Sequence, residues 1–529
     1  MRDLHLPGRS AVHAFNGMAA TSHPAATMAA LDCLRDGGTA MDAAICAAAV
    51  LAVVEPHSTG IGGDVFALYA PGGSDQVIAI NGSGRAPAAA NTDWFAEQGI
   101  DEIGFRSPHA VTVPGAIAAW QKLSDDHGKL GLARLLAPAI GYARDGYPVH
   151  DVVAYVWERE LEKTGTDEYC KSVFQPAGNP LISGEVHHQP QLADTLTAIA
   201  EGGRDAFYTG SIAVDMVDSL KALGGLHTVD DFAAATADYV TPIKTDYRGV
   251  SIYECPPNGQ GLLVLQMLNV LSGFDLAALD PLGAERFHLE GEATRLAFRD
   301  RAGLVADPAH ADVPTETLIS MDYADRLRAL IDPKRAMVNM PPPGEVPHKD
   351  TVYLTVVDKD RNAASFINSL FQSYGSGLMS RKTGVLFHNR GASFVLDPAH
   401  PNCIAPGKRP MHTIIPGMAM KDGRALMPFG VMGGHYQPVG QTHFLTNVID
   451  YGMSVQEALD FPRAFAFGDA FEVERGVPQA VAAGLAERGH TVEEADSPLG
   501  GGQAIAIDWD RGVLTGGSDP RKDGCAMGY

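Results

Sequence analysis

The stretch that most constrains what this chain can fold into runs from Thr351 to Phe371, TVYLTVV-DKDRN-AASFINSLF. Thr351 to Val357 is β-branched and aromatic almost throughout, which is the composition of a strand. Asp358 to Asn362 is polar and turn-prone, and Ala363 to Phe371 returns as a second strand. The reading is an antiparallel hairpin. If Val357 faces Ala363 across a five-residue turn, Thr351 lies opposite Ser369. A four-residue turn would slip the register by one and send each side chain to the other face. Taken alone, such a hairpin is a structural element without chemistry.

The rest of the chain offers one body to build around it. No long Ser/Gly/Pro run and no charge block divides the 529 residues, and a hydrophobic content of 45% is ample for a core. The formal net charge of −23 argues against nucleic acid and against anionic membrane surfaces as partners. Cys33, Cys46, Cys170, Cys255, Cys403 and Cys525 show no CxxC spacing, so no metal or redox motif is expected, and no cofactor. The start, MRDLHLPGRSAVHAF, lacks the apolar core of a signal peptide, and ICAAAVLAVV (Ile45 to Val54) is too short to span a bilayer. A cytoplasmic protein is expected.

In chain order, Gly17 to Asp64 is Ala-rich with helical periodicity. Two helices are expected to meet at Gly37-Gly38, the second ending before Pro56. The Gly-rich GIGGD (Gly60 to Asp64) leads into a strand, VFALYA, and QVIAI gives another. Val111 to about Ser219 reads as largely helical. Asp246 to Leu271 reads as a strand, a Pro/Gly turn and a long helix, and Glu285 to Arg301 as a further helix. Met337 to Lys349 is proline-rich and irregular. Beyond the hairpin come two strands, the GGHY segment, a helix at Val455 to Leu459 and a small αβ unit at Pro478 to Val492.

The hairpin's wording adds a second level. Thr351 at the head of a strand, Val356 to Ala363 (VVDKDRNA), and Tyr374 to Gly377 (YGSG) resemble the γ-glutamyltransferase family of N-terminal-nucleophile hydrolases, with further matches from Gly17 to Tyr529. The resemblance implies an α/β fold, a four-layer αββα sandwich with Thr351 on a central strand. It implies cleavage between Asp350 and Thr351, giving a large fragment 1–350 and a small catalytic fragment 351–529 that stay together as one body. A homodimer of these is left open. Cleavage would put an α-amine, with a pKa near 7.7–8.0, on the residue that carries the hydroxyl, so one residue could be both nucleophile and base. Gly433-Gly434 match the family's paired glycines, whose N–H groups face a developing oxyanion. Ser369 matches a hydroxyl residue that bonds the nucleophile.

The substrate pocket departs from that pattern. Ser83 stands where γ-glutamyl enzymes have an Arg, with Arg85 two residues on. Phe371 replaces an Asn, Arg390 a Gln, Ser393 the Asp that holds a substrate amine, and His412-Thr413 a pair of Ser. His435 follows the paired glycines. The loop from Phe394 to Lys408 is short, which implies that the family's lid is missing. NRGASF, APGKRP-HT and PPNGQGL resemble the branch with oxamate amidohydrolases and cephalosporin-acylase-like proteins, where an Arg at position 390 is usual. A guanidinium grips a planar carboxylate through two hydrogen bonds. The expectation is an amidohydrolase for a small carboxylate-bearing amide, with water as acyl acceptor. A γ-glutamyltransferase or glutathione hydrolase is the alternative. An unprocessed binding protein is a third reading, against which Thr351 and Gly433-Gly434 stand.

Overall fold

The computed structural model describes residues 5, 8–176, 178–338 and 351–529. Asp350 and positions 339–349 of the proline-rich segment lie outside these residues, so the expected cleavage bond is not among those described. The hairpin forms from strands Val352–Val357 and Ala363–Ser369. Its register runs from Val357 opposite Ala363 to Val352 opposite Asn368, which sets Thr351 against Ser369. Asp358 closes the turn. Its Oδ1 accepts from the amides of Asp360 at 2.9 Å and Asn362 at 3.0 Å. Its Oδ2 accepts from the amide of Ala40 at 3.0 Å, pinning the turn to the start of helix Ala40–Val54. The second strand stops at Ser369 rather than at Phe371, because Phe371 has φ 78°, outside any strand conformation.

The two hairpin strands occupy central places in a seven-stranded sheet. Its order is Cys525–Gly528, Met18–Thr21, Val352–Val357, Ala363–Ser369, Asp64–Ala70, Ile78–Gly82, Asp238–Val240. A second seven-stranded sheet runs Val12–Ala14, Val513–Ser518, Gly501–Asp508, Arg424–Met432, Gly417–Lys421, Val250–Glu254, Ile243–Tyr247. Every pairing within both sheets is antiparallel. Strand alternation divides the side chains. Tyr353 and Val357 join Phe66, Ile367, Met418 and Ile505 between the sheets. Val352, Leu354 and Val356 turn the other way, onto the Ala-rich helices Pro24–Arg35 and Ala40–Val54. Helices Leu262–Leu271 and Gln437–Ile449 cover the far face of the second sheet through Phe429 and Val431. The layers are thus αββα. Helix Ala40–Val54 is buried along its whole length, which accounts for a sequence apolar throughout except for Asp42, the partner of Thr39 in the capping box. Among the described residues no helix is long and apolar enough to cross a membrane.

One expected strand is two. Ile243–Tyr247 and Val250–Glu254 pair directly, with Tyr247 opposite Val250, around a tight turn in which Arg248 and Gly249 have φ of 54° and 81°. The αβ unit near the C-terminus is helix Gln479–Glu487 with strand Thr491–Glu494, the edge of a small three-stranded sheet.

Candidate active site

Thr351 is fully buried at the mouth of the hairpin. Its Oγ1 lies 3.1 Å from Ser369 Oγ, which also accepts from the Phe371 amide at 2.9 Å. The Gly-rich turn before strand Asp64–Ala70 packs on the same end. A Cβ on Gly63 would fall 2.3 Å from the Ser369 carbonyl oxygen, so no larger residue lets the turn come this close.

Two contacts place the strand Arg424–Met432, which leads to Gly433, over the hairpin. The Tyr353 ring covers Gly430, where a Cβ would come within 2.4 Å of the ring, and Ser365, paired with Thr355, donates to the Phe429 carbonyl at 3.3 Å. Gly433 and Gly434 both have positive φ, 125° and 57°. A side chain at Gly433 would also meet Gly500, with a Cβ 2.9 Å from its Cα. The two glycines leave this turn without side chains to cover its backbone. The turn is held from behind by Gln260, whose Nε2 donates to the carbonyls of Gly434 at 3.0 Å and Thr413 at 2.8 Å.

Arg390 is fully buried, and its guanidinium lies 4.0 Å over the Phe371 ring. Nη1 donates to Thr413 Oγ1 at 2.8 Å, while Nε and Nη2 are buried without a hydrogen-bond partner among the described residues. Burial pulls the guanidinium down to about 9, and Asp64 opposes this from beyond ion-pair distance. Phe371, in the left-handed region that Asn tolerates far better, is a strained aromatic of the sort found at ligand sites.

His412 is locked in one tautomer. Nδ1 accepts from the Ile414 amide at 3.3 Å, leaving Nε2–H to donate to Asp64 Oδ2 at 3.0 Å. Burial, with Arg390 nearby, lowers the imidazole to about 3, so it is neutral at neutral pH. Burial alone would raise the Asp64 carboxyl. His388, the His412 hydrogen bond and Arg390 outweigh that and hold it at about 2. Asp64 is a carboxylate, fixed further by the amide of Gly84 at 2.9 Å.

The remaining pocket residues divide in two. Phe371, Ser393 and His435 line one cavity of about 380 Å³, together with Arg301 and Met411. The Ser393 hydroxyl is within hydrogen-bond distance of the carbonyls of Arg390 at 2.7 Å and Met411 at 2.8 Å, so it knits the wall together. Ser83 and Arg85 line a different cavity of about 200 Å³. Arg85 is engaged there by Asp238 at 3.3 Å and the Gly407 carbonyl at 3.1 Å, and Ser83 accepts from Asn258 Nδ2 at 3.2 Å. Adjacency in sequence put Arg85 beside the expected carboxylate site; the side chain goes elsewhere. Asp64, Gln260 and Arg301 escaped the sequence reading. Asp64 ends the GIGGD motif and Gln260 lies within PPNGQGL, so both stood in marked segments, but Arg301 had no local signal.

The gamma-glutamyltranspeptidase family model matches residues 26–529. The chain is 38% identical over 521 residues to the glutathione hydrolase-like YwrD proenzyme of Bacillus subtilis strain 168, covering 97% of this chain and 98% of that one. It is 37% identical over 529 residues to the oxamate amidohydrolase proenzyme of Klebsiella pneumoniae, with coverage of 97% and 98%. The crystal structure of cephalosporin acylase from Bacillus halodurans superposes with a TM-score of 0.94 at 40% identity, covering 100% of this chain and 98% of that one.

Proposed function

Because the chain belongs to the gamma-glutamyltranspeptidase family of N-terminal-nucleophile hydrolases, we propose that it is cut between Asp350 and Thr351 and then hydrolyses a small amide bearing a carboxylate. In the precursor, Thr351 Oγ attacks the Asp350 carbonyl carbon. The C–N bond breaks as the acyl group passes to oxygen, and water hydrolyses the resulting ester, leaving fragments 1–350 and 351–529. The freed α-amine of Thr351 takes the hydroxyl proton as Oγ attacks the substrate carbonyl. The Gly433 and Gly434 amides receive the oxyanion, a type of contact worth about 2.7–4 kcal/mol when a single donor is removed. The amine returns the proton to the leaving nitrogen, and water, activated in the same way, hydrolyses the acyl ester. Ser369 orients the nucleophile through its 3.1 Å contact.

One observation carries the choice of substrate class. Arg390 keeps two buried donors unpartnered, over a Phe371 ring whose own amide bonds the hydroxyl that touches Thr351. A carboxylate would take both donors at once. A γ-glutamyl head would also need an acid for its ammonium. Ser393 at that position offers a hydroxyl already turned to backbone carbonyls. Sequence identity does not choose between the two readings, since relatives named for glutathione and for oxamate match almost equally. Six free cysteines support the further proposal of a reducing, cytoplasmic setting.

The test is a comparison of glutathione with oxamate-like amides on the processed protein. Turnover of the carboxylated amides with little or none of glutathione is expected, and Arg390→Ala should harm those amides far more than neutral amides of similar size. Efficient glutathione cleavage that survives Arg390→Ala would favour a glutathione hydrolase instead. The rate should also fall as pH drops through a value near or below about 8, because a protonated α-amine cannot accept the hydroxyl proton.

A further inference from the structure

The cavity lined by Phe371, on whose ring Arg390 stacks, has another buried cation in its wall. Arg301, near the end of helix Ala284–Leu304, is 4% exposed and forms part of the wall. Its Nη1 donates to Gln260 Oε1 at 2.8 Å and to His435 Nδ1 at 2.6 Å, and its guanidinium lies 4.4 Å over the Phe298 ring. All three contacts are uncharged groups; His435, accepting at Nδ1, carries its own proton on Nε2. Among the described residues no carboxylate lies within ion-pair distance. Asp300 is taken by Arg299, Gln266 and Tyr323, and Asp307 by the amides of Arg409 and Ala309. Asp101 and Glu102 border the cavity but stand exposed at its edge, and neither pairs with Arg301. Nε and Nη2 of Arg301 make no hydrogen bond with any described residue. Burial lowers the guanidinium to about 9 with no acid opposing it. A desolvated charge held by neutral groups alone is costly unless something supplies the opposite charge.

We propose that Arg301 is a second anion subsite and that the substrate is a small amide carrying two carboxylates, one for Arg390 and one for Arg301. This rests on the Arg390 reading above and extends it. The cavity, about 380 Å³, is the size of a small-ligand site. Arg301 here is a specificity residue that takes no part in bond breaking. The competing role is mechanical: Arg301 braces Gln260, which braces the Gly434 carbonyl, and an arginine serving only that purpose would not distinguish one ligand charge from another.

Binding of simple acids to the processed protein, by calorimetry, separates these roles. Succinate, glutarate and adipate are compared with butyrate, valerate and hexanoate. The best diacid should bind at least tenfold tighter than its matched monoacid. Arg301→Met should erase that advantage while changing monoacid binding less than threefold, and Arg301→Lys should keep part of it. Equal binding of mono- and diacids to the wild type overturns the subsite without any variant. An equal loss for both classes in a folded Arg301→Met assigns the residue to bracing alone. Monoacids that bind through Arg390, and so weaken in Arg390→Ala, with no gain from a second carboxylate, would sink this inference and leave the earlier reading standing. Monoacids indifferent to Arg390→Ala would sink both.

Discussion

The protein buries arginines in two different settings. Behind the second sheet, Arg463 sits 2.5 Å from Asp519, and Arg521 spans Asp519 at 3.1 Å and Glu474 at 2.6 Å. Arg463 also donates to the Leu499 carbonyl at 2.7 Å. Burial would raise the Asp519 carboxyl, but the two guanidinium groups hold it at about 2. Around the cleft, Arg390 and Arg301 are as deeply buried and have no carboxylate within ion-pair distance among the described residues. The first setting is complete without a ligand. The second is a pair of cations held by uncharged groups, one of them linked to Thr351 through Phe371 and Ser369. Burial of a cation alone therefore does not single out a site; burial without a counter-charge is what the proposed substrate grip rests on.

The largest effect that separates the settings is on activity. Arg390→Met should lower kcat/KM for carboxylated amides by about 30- to several-thousand-fold, the range for losing a charged partner in a desolvated site (~2–5 kcal/mol). Its stability to urea should be unchanged or higher, because an unpaired buried charge is removed. Arg463→Met should do the reverse, costing roughly 3 kcal/mol of stability by stripping a buried carboxylate of one partner while leaving Arg521 on it. Urea melts and kinetics of both variants settle the matter, and a large stability loss in Arg390→Met would erase the distinction.

Acid should reach the two regions in sequence. His412 is held neutral in the folded protein, at about 3 against an ordinary value near 6.5, so the unfolded chain gains a proton first as pH falls below 6.5. Stability contributed there is present above 6.5 and lost toward 3. Asp519, at about 2, stabilises above pH 4 and loses that contribution only as pH falls toward 2. The shifts correspond to roughly 5 kcal/mol for His412 and roughly 2–3 kcal/mol for Asp519. Unfolding free energies should show His412→Asn flattening the profile between pH 6.5 and 4, and Asp519→Asn altering it only below 4. A His412→Asn profile parallel to the wild type in the upper window would contradict the assignment.

The smallest effects belong to residues the structure places beside or away from the grip. Ser393→Ala removes one hydrogen bond to backbone, worth about 0.5–1.5 kcal/mol, and should cost activity less than tenfold. Arg85→Gln, at the separate cavity, should leave KM for carboxylated amides within twofold. A KM rise comparable to that of Arg390→Ala would bring Arg85 back into the substrate site.

What could be read in advance divides along the same line. The hairpin was legible because strand, turn and strand are contiguous, and the Asp358 turn sets the register that puts Thr351 opposite Ser369. The paired helices were legible from their Ala-rich periodicity, and a small residue pair marked their junction. The tight hairpin at Arg248-Gly249 was missed because its positive-φ pair begins with Arg rather than the usual Asn or Asp. The pocket resisted local reasoning for a stronger reason. Asp64 meets His412 across 348 positions, and Arg301 meets His435 across 134. Only the fold decides that Arg390 stacks on Phe371 while Arg85, two residues from Ser83, turns to Asp238.

None of these charges matters to catalysis unless Thr351 becomes a chain terminus. Intact mass spectrometry of the purified protein under denaturing conditions addresses this directly. Two species with the masses of residues 1–350 and 351–529 are expected from the wild type, and one uncut chain from Thr351→Ala. A wild type that stays a single chain and still hydrolyses amides would contradict the N-terminal threonine as nucleophile and base.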